Sequence, residues 1–135
     1  MNRKGITALA LLMAGGAAQA AEWVLIGQNA HETRKLFVDI SSIRIAGKIR
    51  RAWFRSVEAP HKTKIETGQV FDYRLERWAF HCRDEIAKLE ASTEYYEDGT
   101  NYSGGMDGSA TPAIQVRPDT VLRSEMMFVC SWKPK

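Results

Sequence analysis

Two cysteines, Cys82 and Cys130, are the only thiols in a chain of 135 residues, and the start of that chain decides how they behave. Arg3 and Lys4 precede an apolar run from Ile6 to Met13, and small residues then lead to Ala18-Gln19-Ala20. A basic start, a short apolar run and an A-x-A end are the three parts of a secretory signal peptide. The run is too short for a bilayer, which takes about 20 apolar residues, and no later stretch approaches that length. No transmembrane segment is therefore expected. Residues 1–20 read as a cleaved leader and residues 21–135 as a single soluble domain exported to the periplasm. No cysteine lies near the cleavage site to carry a lipid, so display on the outer surface or secretion would need a further step. An even cysteine count in an oxidising compartment reads as a disulfide. The expected Cys82–Cys130 bridge closes a long loop worth roughly 4 kcal/mol in the chain-entropy account. It also obliges the two residues to be neighbours in whatever fold forms.

His81 stands directly before Cys82, which raises the alternatives of an activated thiol or a metal pair. Neighbouring residues on a strand point to opposite faces, the wrong geometry for proton transfer between them. His31, His61 and His81 are scattered, without the close ligand spacing of a zinc site or a C-x-x-C-H haem attachment. No catalytic residue, metal site or cofactor is expected, and the reading is of a protein that is not an enzyme. The formal charge of +3 falls to +1 once Arg3 and Lys4 leave with the leader. That is too small a basic excess for a nucleic-acid binder. The Gly-rich segment 103–109 lacks the phosphate-cradling pattern and reads as a hairpin tip or lid.

Apolar alternation organises the rest. Glu22 to Gly27 reads as a strand, Leu36 to Asp39 as a second short one, and Ser42 to Ile49 as a hairpin around Gly47. Lys48 to Val57 continues as a longer strand, with Trp53 and Val57 on one face and Ala52 and Phe54 on the other. Val70 to Cys82 is extended: Phe71, Tyr73 and Leu75 have one parity and Trp78, Phe80 and Cys82 the other. That predicts a bulge or bend near Glu76-Arg77. Ile86 to Tyr96 alternates Ala87, Leu89, Ala91, Thr93 and Tyr95 against charged and polar residues, a half-buried strand. Asp98-Gly99 supplies a turn. Pro118-Asp119-Thr120 starts a helix running to about Ser131, capped by Asp119 or Thr120, with Leu122, Met126 and Val129 at helical spacing. The fold class is α+β: an antiparallel sheet of about six strands, with one C-terminal helix packed on it and tied by the disulfide.

Charge is segregated along this chain. Lys48, Arg50, Arg51, Arg55, Lys62 and Lys64 form a basic stretch with Trp53 and Phe54 among them. Asp84, Glu85, Glu90, Glu94, Glu97, Asp98 and Asp107 form an acidic one. Neighbouring strands could pair these charges across the sheet. Alternatively, Lys48, Arg50, Arg51, Trp53, Arg55, Lys62 and Lys64, with Tyr95, Tyr96 and Tyr102, form a patch that docks a protein or an anionic glycan.

An ordered set of short motifs goes further. Trp23 opens the first strand, followed by Phe37-Val38-Asp39-Ile40-Ser41-Ser42-Ile43 and Lys48-Ile49-Arg50-Arg51-Ala52-Trp53. The strand ending at Cys82, Tyr96-Glu97-Asp98-Gly99 and Pro118-Asp119-Thr120 leading to Cys130 complete the set. Together they resemble the surface-adhesin protein E-like domain of Gram-negative bacteria across nearly the whole of residues 21–135. The resemblance implies an antiparallel sheet with a C-terminal helix stapled by Cys82–Cys130, and no catalytic residues. It implies partners such as host matrix and plasma proteins, and compatibility with a homodimer. The first expectation is thus an exported, adhesin-like binding domain that recognises a protein or glycan surface. The rival is a periplasmic envelope structural or stress protein, or a hydrolase inhibitor, with no role in adhesion.

Overall fold

The computed structural model describes residues 19–29, 31, 33–58, 64, 66–104 and 111–135. Residues 1–18 of the expected leader, Lys62 and most of the Gly-rich segment lie outside the described residues. Seven strands and one helix follow in order: β1 (Trp23–Gln28), β2 (Arg34–Ala46), β3 (Ile49–Glu58), β4 (Phe71–His81), β5 (Ile86–Tyr96), β6 (Asn101–Ser103), β7 (Ile114–Gln115) and α1 (Val121–Ser131). The first six form an antiparallel meander in sequence order, and β7 pairs with the start of β5. Tight turns suit this topology: Gly47 and Gly99 take left-handed φ values of 60° and 83° at the β2–β3 and β5–β6 turns, a region glycine enters without strain.

Where a short strand Leu36 to Asp39 and a separate hairpin from Ser42 to Ile49 were expected, the chain makes one long strand, β2, broken by a bulge, and turns at Gly47 into β3. Asp39 faces Trp53 and Arg44 faces Arg51, so Ile40 to Ile43 all lie against Ala52. Such an excursion breaks ladder hydrogen bonds, and two side chains repair it. Ser42 Oγ accepts from Trp53 N at 2.9 Å and donates to the Asp39 carbonyl at 2.7 Å. Asp39 Oδ1 accepts from Ser41 N at 3.0 Å, from Ser41 Oγ at 2.6 Å and from Glu22 N at 2.9 Å. The sequence Asp39-Ile40-Ser41-Ser42 is therefore a structural device.

The irregularity expected near Glu76-Arg77 falls between Arg77 and Trp78 in the β4–β5 ladder, but the extra residue is on β5. β4 stays in unbroken register with β3 from Tyr73 to His81. The extra residue is Glu90 of β5, because Arg77 faces Ala91 while Trp78 faces Leu89. One inserted residue moves every later side chain to the other face. Ala87 and Leu89 thus lie on one face, whereas Ala91, Thr93 and Tyr95 lie on the opposite one, not with them as plain alternation had it. A second shift between Phe71 and Tyr73 pairs Phe71 with Tyr96 and parts it from Tyr73.

The core lies between α1 and one face of the sheet. Val38, Ala52, Phe54, Phe80 and Ala87 supply the sheet side, and Met126 and Val129 the helix side, all buried. Phe54 and Phe80 meet edge to face, with ring centroids 6.1 Å apart. Each such side chain contributes roughly 1.5–3 kcal/mol of burial. The helix starts at Thr120, whose side chain accepts from Arg123 N at 3.1 Å. At its other end Arg50 reaches up from β3, and Nη1 donates to the carbonyls of Val129 (2.9 Å) and Trp132 (2.7 Å). A cation there adds a donor to the carbonyls that end the helix and favours the negative end of its dipole. Cys82 and Cys130 are bonded, with Cα atoms 5.7 Å apart, so the end of β4 is tied to the last turn of α1.

One buried group opposes this packing. Glu125 on α1 is 3 % exposed, and burial, with the nearby Glu76 carboxylate, pushes its carboxyl pKa up to about 8. The unfolded chain titrates near 4.3, so the folded state binds the extra proton. Its contribution is full below about pH 4 and is lost as pH rises to about 8, at most about 1.4 kcal/mol per pH unit. Glu125→Gln should match the unsubstituted protein in urea at pH 4.5 and exceed it by a few kcal/mol at pH 8. Arg50→Ala should lower stability by about 2 kcal/mol in the same assay with the disulfide intact.

Candidate binding face

With α1 on one side, the other face of the sheet has no helix on it among the described residues. Alternation along β3 puts Arg51, Trp53, Arg55 and Val57 there, opposite in direction to Ala52 and Phe54. The register then places Ala79, Arg77, Leu75 and Tyr73 of β4 across from them. From β2, Phe37 stands opposite Arg55, and from β1, Trp23 stands opposite Asp39. The Glu90 bulge adds Ala91, Thr93 and Tyr95 of β5. A solvated sheet face is normally polar. This one carries Trp23, Phe37, Trp53, Tyr73 and Tyr95, all half-buried.

Arginines are threaded among these rings. The Arg55 guanidinium carbon lies 5.0 Å from the centre of the Trp23 ring, 5.2 Å from Phe37 and 5.9 Å from Tyr73. Tyr73 in turn stacks on Tyr95 at 4.5 Å and an interplanar angle of 12°. Further along, Arg77 lies 5.5 Å from the Trp53 ring and reaches Glu90 Oε2 at 3.0 Å. Arg51 Nε donates to the other oxygen of Glu90 at 2.6 Å. Each guanidinium over a ring gains cation–π attraction of about 0.5–2 kcal/mol and holds the ring in place.

The same face ends in a hollow of about 690 Å³ with Ile49, Ala79, Ile86, Ala113 and His81 among its walls and Arg51, Arg77 and Lys88 as its cations. His81 Nδ1 lies 3.0 Å from Asp84 Oδ2, an ion pair when the imidazole is protonated. Cys82 points the other way into the disulfide and offers no thiolate. Among the described residues, no three His, Cys, Asp or Glu side chains gather as a metal site.

The sequence-defined patch divides between locations. Arg51, Trp53, Arg55 and Tyr95 share the helix-free face. Arg50 is on the helix side as the cap of α1. Tyr96 is 8 % exposed and donates from its hydroxyl to Glu94 Oε2 at 2.8 Å. That bond raises the Tyr96 pKa, and Glu94, held by Arg74 and then by Tyr96, is lowered. Lys48 is exposed in the β2–β3 turn, and Lys64 is exposed in an isolated bridge with Val70. Tyr102 is exposed on β6 opposite Glu94, and so on the helix side of the sheet. Trp23, Phe37, Tyr73 and Arg77 were not in that patch. Parity along β4 and its pairing with β3 bring Tyr73 and Arg77 in. Pairing of charges between neighbouring strands, the alternative reading of the segregation, holds for Arg77 with Glu90 and for Arg74 with Glu94, whereas Arg51 of β3 reaches across β4 to Glu90.

A family model described as Surface-adhesin protein E matches residues 23–131. The chain belongs to the surface-adhesin protein E family. Its fold is that of Haemophilus influenzae protein E. One structure of that protein superposes with a TM-score of 0.55 at 13 % identity, covering 78 % of this chain and 83 % of that one. A second crystal form gives 0.54 at 11 %, covering 82 % and 96 %. A search of curated protein sequences finds no match. At such identity the likeness concerns the fold alone. Membership supports an adhesin-like binding protein.

Glu90→Gln should leave Arg51 and Arg77 without their shared counter-charge. The expected loss is about 1 kcal/mol in urea, with Trp53 fluorescence shifting as Arg77 is released from its fork.

Proposed function

We propose that this protein is an exported, non-enzymatic binding domain that recognises a protein surface through the helix-free face of its sheet. The observation that carries the reading is the aromatic and arginine content of that face. Trp, Tyr and Arg are the residue types that dominate binding energy at protein interfaces. Family membership supports an adhesin-like role, and host matrix proteins are the corresponding partner class. An anionic glycan is the other ligand class, drawn by Arg55 and Lys88, which pair with no carboxylate among the described residues. Residues 1–20 act as the export signal in this account, and residues 21–135 are the working domain. No helix among the described residues is long and apolar enough to cross a membrane.

The test is surface plasmon resonance of laminin, fibronectin and heparin over immobilised residues 21–135. At least one should bind, and Trp53→Asp with Tyr95→Asp should weaken it by about tenfold or more, whereas Lys133→Glu behind the sheet should not. Absence of binding, or binding indifferent to the face, contradicts the proposal. Added protease should also cleave the protein on intact cells. Protection until the outer membrane is opened would favour the periplasmic structural role instead.

A further inference from the structure

We infer that Arg55 is the anchor of the partner, receiving a single carboxylate from an acidic side chain on a protein surface. This rests on the proposed use of the helix-free face and names what one point on that face takes.

Arg55 differs from the other arginines of the face. Arg51 and Arg77 close on Glu90. Around Arg55 the rings of Trp23, Phe37 and Tyr73 lie within 5.0–5.9 Å, and no hydrogen-bond acceptor or carboxylate among the described residues meets any of its nitrogens. Its Nε, like that of Arg77, is buried without a hydrogen-bond partner among the described residues, but Arg77 has the Glu90 ion pair and Arg55 has none. An arginine brings five donors in a rigid fork that matches a carboxylate. Rings packed around the fork keep water away, so a charge-assisted bond formed there is stronger than on an open surface.

The molecule contains its own template for the missing contact. At the neighbouring position the Arg77 guanidinium lies over the Trp53 ring, and the group it holds is the carboxylate of a glutamate. Arg55 repeats this ring-supported guanidinium without a glutamate of its own. The same comparison separates a protein from a polyanionic glycan. A sulfated chain needs a run of free cations, and here Glu90 already occupies the two arginines beside Arg55. What is left suits one carboxylate with apolar neighbours to meet the rings, as an Asp or Glu beside an aromatic residue provides.

The experiment is an NMR titration of residues 21–135 with a blocked Phe-Glu-Phe tripeptide, its Phe-Gln-Phe counterpart and a hyaluronan hexasaccharide. The glutamate peptide should move the Arg55 Nε–H signal and the ring signals of Trp23 and Tyr73, and it should bind about tenfold more tightly than the glutamine peptide. Arg55→Lys keeps charge but loses the fork, and it should erase that difference, as should Arg55→Gln. Equal binding of the two peptides to the unsubstituted protein overturns the inference whatever the variants do. So does a hexasaccharide that moves the same signals at lower concentration than the glutamate peptide, which would assign the point to a glycan. Tyr95→Asp separates the two levels: if it weakens both peptides while Arg55→Gln weakens neither, the face still docks and the role of Arg55 fails. If no substitution on the face matters, the wider proposal fails as well.

Discussion

A sheet has two faces, and among the described residues this chain has one helix with which to cover them. Everything else in the molecule follows from where that helix is fastened. The Cys82–Cys130 bond ties its last turn to the end of β4, and Arg50 holds its final carbonyls from β3. Met126 and Val129 then close over Val38, Phe54 and Phe80. The loop between the bonded cysteines is 48 residues in sequence separation, worth about 4 kcal/mol against the unfolded chain. For a domain whose whole stability is of order 5–15 kcal/mol, a one-sided core needs that help.

What the fastening leaves uncovered is the more informative surface. Trp23, Phe37, Trp53, Tyr73 and Tyr95 would serve a core well, and they are placed instead on the side without a helix. Their rings are held by arginines and by each other, which keeps them ordered without burying them. An ordered aromatic face loses little side-chain freedom when something docks on it. That is how the fold of the family and an adhesin-like role fit together physically.

Much of this frame was legible in the residues. The cysteine count fixed the staple, Pro118-Asp119-Thr120 and the spacing of Leu122, Met126 and Val129 marked the helix, and period-two alternation marked the long strands. Bulges were the part alternation could not place. The opposing parities within residues 70–82 signalled an irregularity, but β4 itself alternates regularly beside β3 and simply bears aromatics on both faces. The inserted residue is Glu90, one strand away, and it carries Tyr95 to the helix-free face. Likewise, Arg50 and Arg51 are adjacent in sequence and look alike, yet one caps a helix and the other pairs with Glu90 across the sheet. Nearness along a strand says nothing about sharing a face when the period is two. Asp39 and Ser42 had no functional reading beyond a motif, and the bulge they stitch explains why such residues stand there.

The central claim is that the face opposite α1 is open and ordered in the isolated protein. Hydroxyl-radical footprinting of residues 21–135 in dilute solution, read by mass spectrometry, tests it most directly. The account requires Trp23, Trp53, Tyr73 and Tyr95 to be oxidised readily while Phe54 and Phe80 stay protected. Protection of all four rings at concentrations where the chain is a monomer would contradict it.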